Sequence, residues 1–210
     1  MTLKINEIFY SIQGESSYSG LPCIFVRLSG CNLRCSYCDT RYAYEEGGEM
    51  EITEILDRID ALKCPLVEIT GGEPLIQKET PLLIYELLKK EYEVIMETNG
   101  SLDIKDVDDR CIKIVDIKCP SSGESDKNDL ENLQKLNQKD QVKFVIGNRG
   151  DYEYAKNIIA SKYRKVSPGN ILFSPIPEEM PPDKIAKWIL ADHLNVRLHL
   201  QLHLDIRYSP

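Results

Sequence analysis

A chain of 210 residues with 26 Lys and Arg against 34 Asp and Glu carries a formal charge of −8. That balance, without any long basic run, argues against a protein that grips nucleic acid by counterion release, and no stretch approaches the ~20 apolar residues of a membrane span. Seven cysteines, three of them in one loop, and the lack of an N-terminal apolar signal disfavour a secreted disulfide framework; a cytoplasmic enzyme acting on a small molecule, with one domain over residues 1–210, is expected.

In chain order the first expected strand is Cys23 to Leu28, which runs into Gly30-Cys31-Asn32-Leu33-Arg34-Cys35-Ser36-Tyr37-Cys38-Asp39-Thr40. The charge run Glu45 to Glu51 reads as a solvated loop. Ile55, Leu56, Ile59 and Leu62 then share one helical face. Strand Leu66 to Thr70 ends in Gly71-Gly72-Glu73-Pro74, and a helix after Pro81 buries Leu83, Ile84, Leu87 and Leu88. Strand Glu93 to Glu97 leads into Thr98-Asn99-Gly100. Strands follow at Cys111 to Ile117, Gln141 to Ile146, Ile171 to Ser174 and Val196 to Leu202, with helices at Asp129 to Asn137, Asp151 to Lys162 and Pro182 to Leu194. Cys119 to Asn128 is the most loop-like stretch. Strand-helix alternation of this kind builds a parallel sheet. With about six βα units, and too little room for a helix between Ser101 and Asp109, the expected fold is α/β, a partial, open βα barrel with about six parallel strands.

Three thiolates at Cys31, Cys35 and Cys38 suit zinc or an iron-sulfur cluster and leave one metal position open for chemistry. A zinc knuckle completed by Cys23 or a histidine is the plainer alternative, disfavoured because only one C-x2-C arm is present. Ligands of a parallel sheet gather at the carboxyl ends of its strands, where the cysteine loop, the Gly-Gly-Glu-Pro turn and Glu97-Thr98-Asn99-Gly100 all fall. Paired glycines permit close backbone approach, and Glu73 offers an acceptor for an ammonium group. Taken alone, that turn is an ordinary strand-to-helix connection. Cys23, Cys64, Cys111 and Cys119 sit in apolar runs and read as small hydrophobes. Trp188 with Ile185 and Ile189 reads as helix core or a subunit contact, and His193 and His199 as surface or core groups.

The C-x3-C-x2-C loop together with Gly-Gly-Glu-Pro resembles the radical S-adenosylmethionine superfamily. Ser11-Ile12-Gln13-Gly14-Glu15, Gly20-Leu21-Pro22, Phe25-Val26-Arg27-Leu28, Asp39-Thr40 and Gln201-Leu202-His203 narrow the resemblance to its 7-carboxy-7-deazaguanine synthases. The family usually has Gly after Gln-Gly-Glu, where this chain has Ser16, and Ile104 to Gln138 matches no family motif.

The resemblance implies conversion of 6-carboxy-5,6,7,8-tetrahydropterin to 7-carboxy-7-deazaguanine with loss of ammonia, on the route to queuosine-type modifications. It implies a 4Fe-4S cluster on Cys31, Cys35 and Cys38, S-adenosyl-L-methionine held by Tyr37, Cys38, Asp39, Gly72, Glu73 and Asn99, and Mg2+ on Thr40. Substrate residues on the same ground are Ile12, Gln13, Gly14, Glu15, Arg27, Thr70, His203 and Pro210. A planar guanidinium suits the pterin carboxylate, and Gln13 and Glu15 suit its amide and amino edge. The terminal carboxylate of Pro210 is expected to reach the substrate, so a tag appended after Pro210 should raise KM sharply while one before Met1 does little. Partners would be an electron donor such as flavodoxin or ferredoxin, no nucleic acid, no membrane, and a second copy in a homodimer. A glycyl-radical activating enzyme shares the cysteine loop, but the Gln-Gly-Glu run and the C-terminal motif favour the synthases.

Overall fold

Every strand of the computed structural model joins one nine-stranded sheet in the order β3-β1-β2-β4-β5-β6-β7-β8-β9, described over residues 1–162, 166–177 and 179–202. β1 (Thr2–Ile12) pairs antiparallel with both β2 (Pro22–Leu28) and β3 (Gly48–Glu51). From β2 onward all pairings are parallel, through β4 (Leu66–Gly71), β5 (Glu93–Thr98), β6 (Ile112–Ile117), β7 (Gln141–Ile146), β8 (Ile171–Pro175) and β9 (Arg197–Leu198). The sheet is open, with β3 and β9 at its edges, as the count of βα units requires.

The chain's alternation of helix and strand is the reason for the parallel core. α1 (Ile52–Leu62) buries Ile52, Ile55, Leu56 and Ile59 and stops at Lys63, which turns left-handed with φ 54°. α2 (Thr80–Lys89) carries Pro81 in its first turn and buries Leu83, Ile84 and Leu87. α3 (Asn132–Lys135) is a single turn, whereas α4 (Arg149–Lys162) and α5 (Pro182–Ala191) cover the second half of the sheet. Tyr152 of α4 is fully buried between Phe173 and Trp188. Trp188 is half-buried and packs against that core. Cys23, Cys64, Cys111 and Cys119 are buried too, and burial pushes the Cys111 thiol up to about 12. No helix among the described residues is long and apolar enough to cross a membrane.

Five points of the expected layout are corrected. β1 is absent from the sequence reading because its register shifts at a bulge between Ile5 and Glu7, which breaks the two-residue period after Leu3 and Ile5. The second half of the Glu45 to Glu51 charge run is not loop but β3, a short, mostly exposed and charged edge strand of the type that resists pairing with other chains. The helix expected over Asp129 to Asn137 shrinks to α3, since Leu136 is already extended and Asp129 and Asn137 spend their side chains on local turns. The last helix ends at Ala191, and β9 is only two residues within the expected Val196 to Leu202.

Candidate active site

The carboxyl ends of the parallel strands enclose one cavity of about 380 Å3. Alternation along each strand sends every second side chain into it: Phe25 and Arg27 of β2, Glu68 and Thr70 of β4, Glu97 of β5, Asp116 of β6, Lys143 and Val145 of β7. Their neighbours Val67, Ile69, Met96, Val115 and Phe144 are buried. Cys31, Cys35, Tyr37, Cys38, Asp39 and Thr40 form the wall nearest β2, joined by Ile12, Gln13, Gly14, Glu15, Gly72 and Asn99. Ile12 and Lys143, 131 places apart in the sequence, thus share one space only through the fold.

The three loop cysteines are free and partly exposed. Among the described residues no three ligating side chains converge on a single-ion centre, as a zinc ion would need; a cubane instead takes each thiolate on its own iron. Cys23, the alternative fourth ligand, is fully buried on β2 with its thiol on the Ile24 carbonyl at 3.5 Å. Burial pushes the thiols of Cys31 and Cys35 up, so loading with metal releases protons. The donor set fits a 4Fe-4S cluster with one open iron.

Close contacts pin the loop. A Cβ on Gly72 would lie 2.1 Å from the Gly30 carbonyl oxygen and 2.7 Å from Cys31 Cβ, and Glu73 donates its backbone N–H to the same carbonyl at 2.8 Å. Only glycine lets β4's end press on the root of the cysteine loop. The Leu33 N–H reaches Cys31 Sγ at 3.4 Å, and Asn99 Nδ2 donates to Asn32 Oδ1 at 3.0 Å. On the far side Ser36 donates its N–H to the Ser122 carbonyl (3.0 Å) and its hydroxyl to that of Ser121 (2.8 Å), while the Arg34 N–H reaches Glu124 at 2.7 Å. Residues 120–124, which match no motif, are therefore the clamp of this loop.

Glu73 stands apart from its expected place. It is fully buried and absent from the cavity wall; its carboxylate accepts from the Thr98 hydroxyl at 2.9 Å, the Asn99 N–H at 2.7 Å and the Leu75 N–H at 2.9 Å. Burial pushes its pKa up while those donors pull it down. In the structure it braces the tip of β5.

The loop between β1 and β2 crosses the open side of the sheet. Gln13 is held by Glu68, and its Oε1 accepts the Glu15 N–H at 2.8 Å. Ser17 meets Gln141 of β7 through two hydrogen bonds of 2.9 Å. The C-terminal segment docks on it, with Gln201 donating to Glu15 at 2.7 Å and the Leu202 N–H to the Gly14 carbonyl at 2.9 Å. Ser16, which replaces the family's usual glycine, takes the left-handed conformation that glycine favours, with φ 63°, and its hydroxyl accepts the Tyr18 N–H at 3.1 Å. His203 and Pro210 lie outside the described residues.

Arg27 donates to Glu7 at 2.7 Å, and its guanidinium lies 5.7 Å from the ring centres of Phe9 and Tyr42. Its fork is thereby aimed along the cavity wall instead of outward. Sequence reading missed Glu68, Asp116, Lys118 and Lys143, and saw Glu97 only as part of the polar tip of its strand. A signal existed: each is a charge inside or just after an apolar strand, in Leu-Val-Glu-Ile-Thr, Val-Ile-Met-Glu-Thr, Ile-Val-Asp-Ile-Lys and Val-Lys-Phe-Val-Ile, where a charge is costly unless partnered or used. Lys118 pairs with Asp116 at 2.8 Å. Burial and the Glu97 and Glu15 charges push Glu68 well above the usual carboxylate range.

The pattern of the Radical SAM superfamily matches residues 25–160. A "7-carboxy-7-deazaguanine synthase" of Koribacter versatilis is 41% identical over 96% of this chain and 95% of that protein, and one of Chlorobaculum tepidum is 46% identical over 96% and 92%. The crystal structure of QueE from Escherichia coli superposes with a TM-score of 0.82 at 25% identity, covering 97% of this chain and 95% of that one. With its cysteine loop, its cavity at the strand ends and these likenesses over nearly its whole length, the chain belongs to the 7-carboxy-7-deazaguanine synthases of the radical S-adenosylmethionine superfamily.

Proposed function

We infer that this chain is a radical S-adenosylmethionine lyase that converts 6-carboxy-5,6,7,8-tetrahydropterin to 7-carboxy-7-deazaguanine and ammonia, in queuosine-type deazapurine biosynthesis. The observation that carries the reading is the convergence of the cysteine loop with the Gln13–Glu15 run and Arg27 on one cavity, in a chain matching proteins of that name along its length. Substrate and products balance by loss of one ammonia, so no net oxidant is consumed. When bound, the cluster and S-adenosylmethionine supply the radical that takes and later returns a hydrogen.

The protein's own part is placement. Cys31, Cys35 and Cys38 hold the cluster, leaving one iron for the cofactor, which Tyr37, Cys38, Asp39, Gly72 and Asn99 border. Glu73 acts through Thr98 and Asn99, which it fixes. The Arg27 fork takes the pterin carboxylate. Gln13 and Glu15, with the backbone of Ile12 and Gly14 and the Thr70 hydroxyl, take the pyrimidine edge. The loop carrying them closes the open side of the barrel and keeps water from the reacting carbon. His203 and Pro210 are proposed to complete the pocket.

Thr40, 3.8 Å from Cys38 through its hydroxyl, would give Mg2+ a single hard oxygen beside substrate and water. Thr40→Ala is expected to reduce the stimulation of turnover by added Mg2+ several-fold and leave the visible cluster spectrum unchanged; an unaltered Mg2+ titration would remove Thr40 from the site. An electron donor such as flavodoxin or ferredoxin, a homodimer and a cytoplasmic location complete the proposal. The decisive test is anaerobic incubation of cluster-loaded protein with S-adenosylmethionine, dithionite and the carboxytetrahydropterin. Mass analysis should show the deazaguanine; its absence beside uncoupled cofactor cleavage would overturn the substrate.

A further inference from the structure

Lys143 is not among the residues that the sequence motifs single out, yet it occupies the middle of the cavity's charge arrangement. It points inward from β7, and its side chain is only 8% exposed. Its ammonium donates to Glu15 at 2.8 Å and to Glu97, and stands 3.7 Å from Asp116. These carboxylates come from the β1–β2 loop, β5 and β6. A lysine buried at such a place loses its hydration, which only close anionic partners offset.

Glu15 depends on that partner. Its loop has no regular structure, and the remaining support is Gln201, a neutral donor, on the other carboxylate oxygen at 2.7 Å. Like charges crowd it from Glu97 of β5 and Glu68 of β4, with Asp116 of β6 behind Lys143. Cations facing the group are Lys143 itself and, more weakly, His199. We propose that Lys143 is a positioning residue for substrate recognition: reaching across the open face of the sheet, its ammonium fixes Glu15 as an ionised acceptor for the N–H edge of the pterin. The ligand's identity rests on the functional reading above.

The sign of the effect follows from the charges. Burial pushes Glu15 up, but the Lys143 charge and hydrogen bond, helped by Gln201, override it and hold the carboxyl at about 2. Without the ammonium, burial and the neighbouring carboxylates act unopposed, and the pKa climbs. The ionised, accepting form is then lost as pH falls through that raised value and restored as pH rises above it. A residue that merely braced the fold would produce no such recovery.

The test is calorimetric binding of 6-carboxy-5,6,7,8-tetrahydropterin to anaerobic, cluster-loaded protein with S-adenosylmethionine, from pH 6 to 9, for wild type, Lys143→Met and Lys143→Arg. Relative to wild type at the same pH, Lys143→Met should bind roughly 30-fold more weakly near pH 6.5 and within about threefold near pH 9, the loss shrinking by up to about tenfold per pH unit as the carboxyl ionises. Lys143→Arg, which keeps the charge, should follow the wild-type pH dependence. An unchanged affinity, or a loss equal at every pH, in Lys143→Met would overturn the role. Should that variant fail to take up the cluster, Lys143→Arg decides by the same criterion: wild-type pH dependence supports the role, and a pH-independent loss refutes it. Turnover by wild type is followed in parallel. Its failure would overturn the functional reading, whereas normal turnover beside a pH-independent Lys143→Met defect would overturn the role of Lys143 alone.

Discussion

Replacing any one of Cys31, Cys35 or Cys38 by alanine is expected to abolish stable 4Fe-4S assembly and turnover together, with iron and labile sulfide falling to background after anaerobic reconstitution. Each thiolate occupies one iron, and the cavity wall supplies no substitute sulfur: the remaining cysteines, at 23, 64, 111 and 119, are buried and none of them lines the cavity. Cys64→Ala and Cys111→Ala remove small buried side chains packed in the first half of the core. They should retain iron and activity and cost about 1–2 kcal/mol of stability, seen as a shift of the urea midpoint. Equal dependence of iron content on Cys23 and Cys31 would end the three-ligand account.

Gly72→Ala should be nearly as damaging, although it removes no ligand. The added methyl would sit 2.1 Å from the Gly30 carbonyl oxygen and 2.7 Å from Cys31 Cβ, so either β4's end or the cysteine loop must move. Overpacking against backbone costs about 1–3 kcal/mol. The larger consequence lies in placement, because an ångström of displacement at a reacting centre costs on the order of a hundredfold in rate. Circular dichroism should show a folded chain, with cluster occupancy lowered and turnover down by about that factor. Wild-type turnover in this variant would mean that the two loops do not need their close approach.

Ser16 and Glu73 show how sequence pattern and structure share the specification. Ser16 holds a left-handed turn of the kind that glycine favours, and its hydroxyl, accepting the Tyr18 N–H, offsets part of the strain locally. Glu73, by contrast, belongs to a motif whose presence was plain while its contacts were not. Which atoms a buried carboxylate meets depends on what the next strand brings beside it, here Thr98 and Asn99.

By itself the sequence determined the features whose physics is local: the three-thiolate loop, the glycine pair that permits close approach, the helical faces of α1 and α2, and an open parallel sheet whose ligands gather at the strand ends. The tertiary structure alone decided the rest. The bulge in β1 resets the register that the alternation of Leu3 and Ile5 begins. Charges in apolar strands, Glu68, Glu97, Asp116 and Lys143, become one arrangement only when β4 to β7 lie side by side with those residues on the same face. Glu15 and Lys143 are 128 residues apart in the chain and 2.8 Å apart in space. No period, spacing or propensity encodes that contact; it exists because the β1–β2 loop is carried across the open sheet by the packing of everything between them.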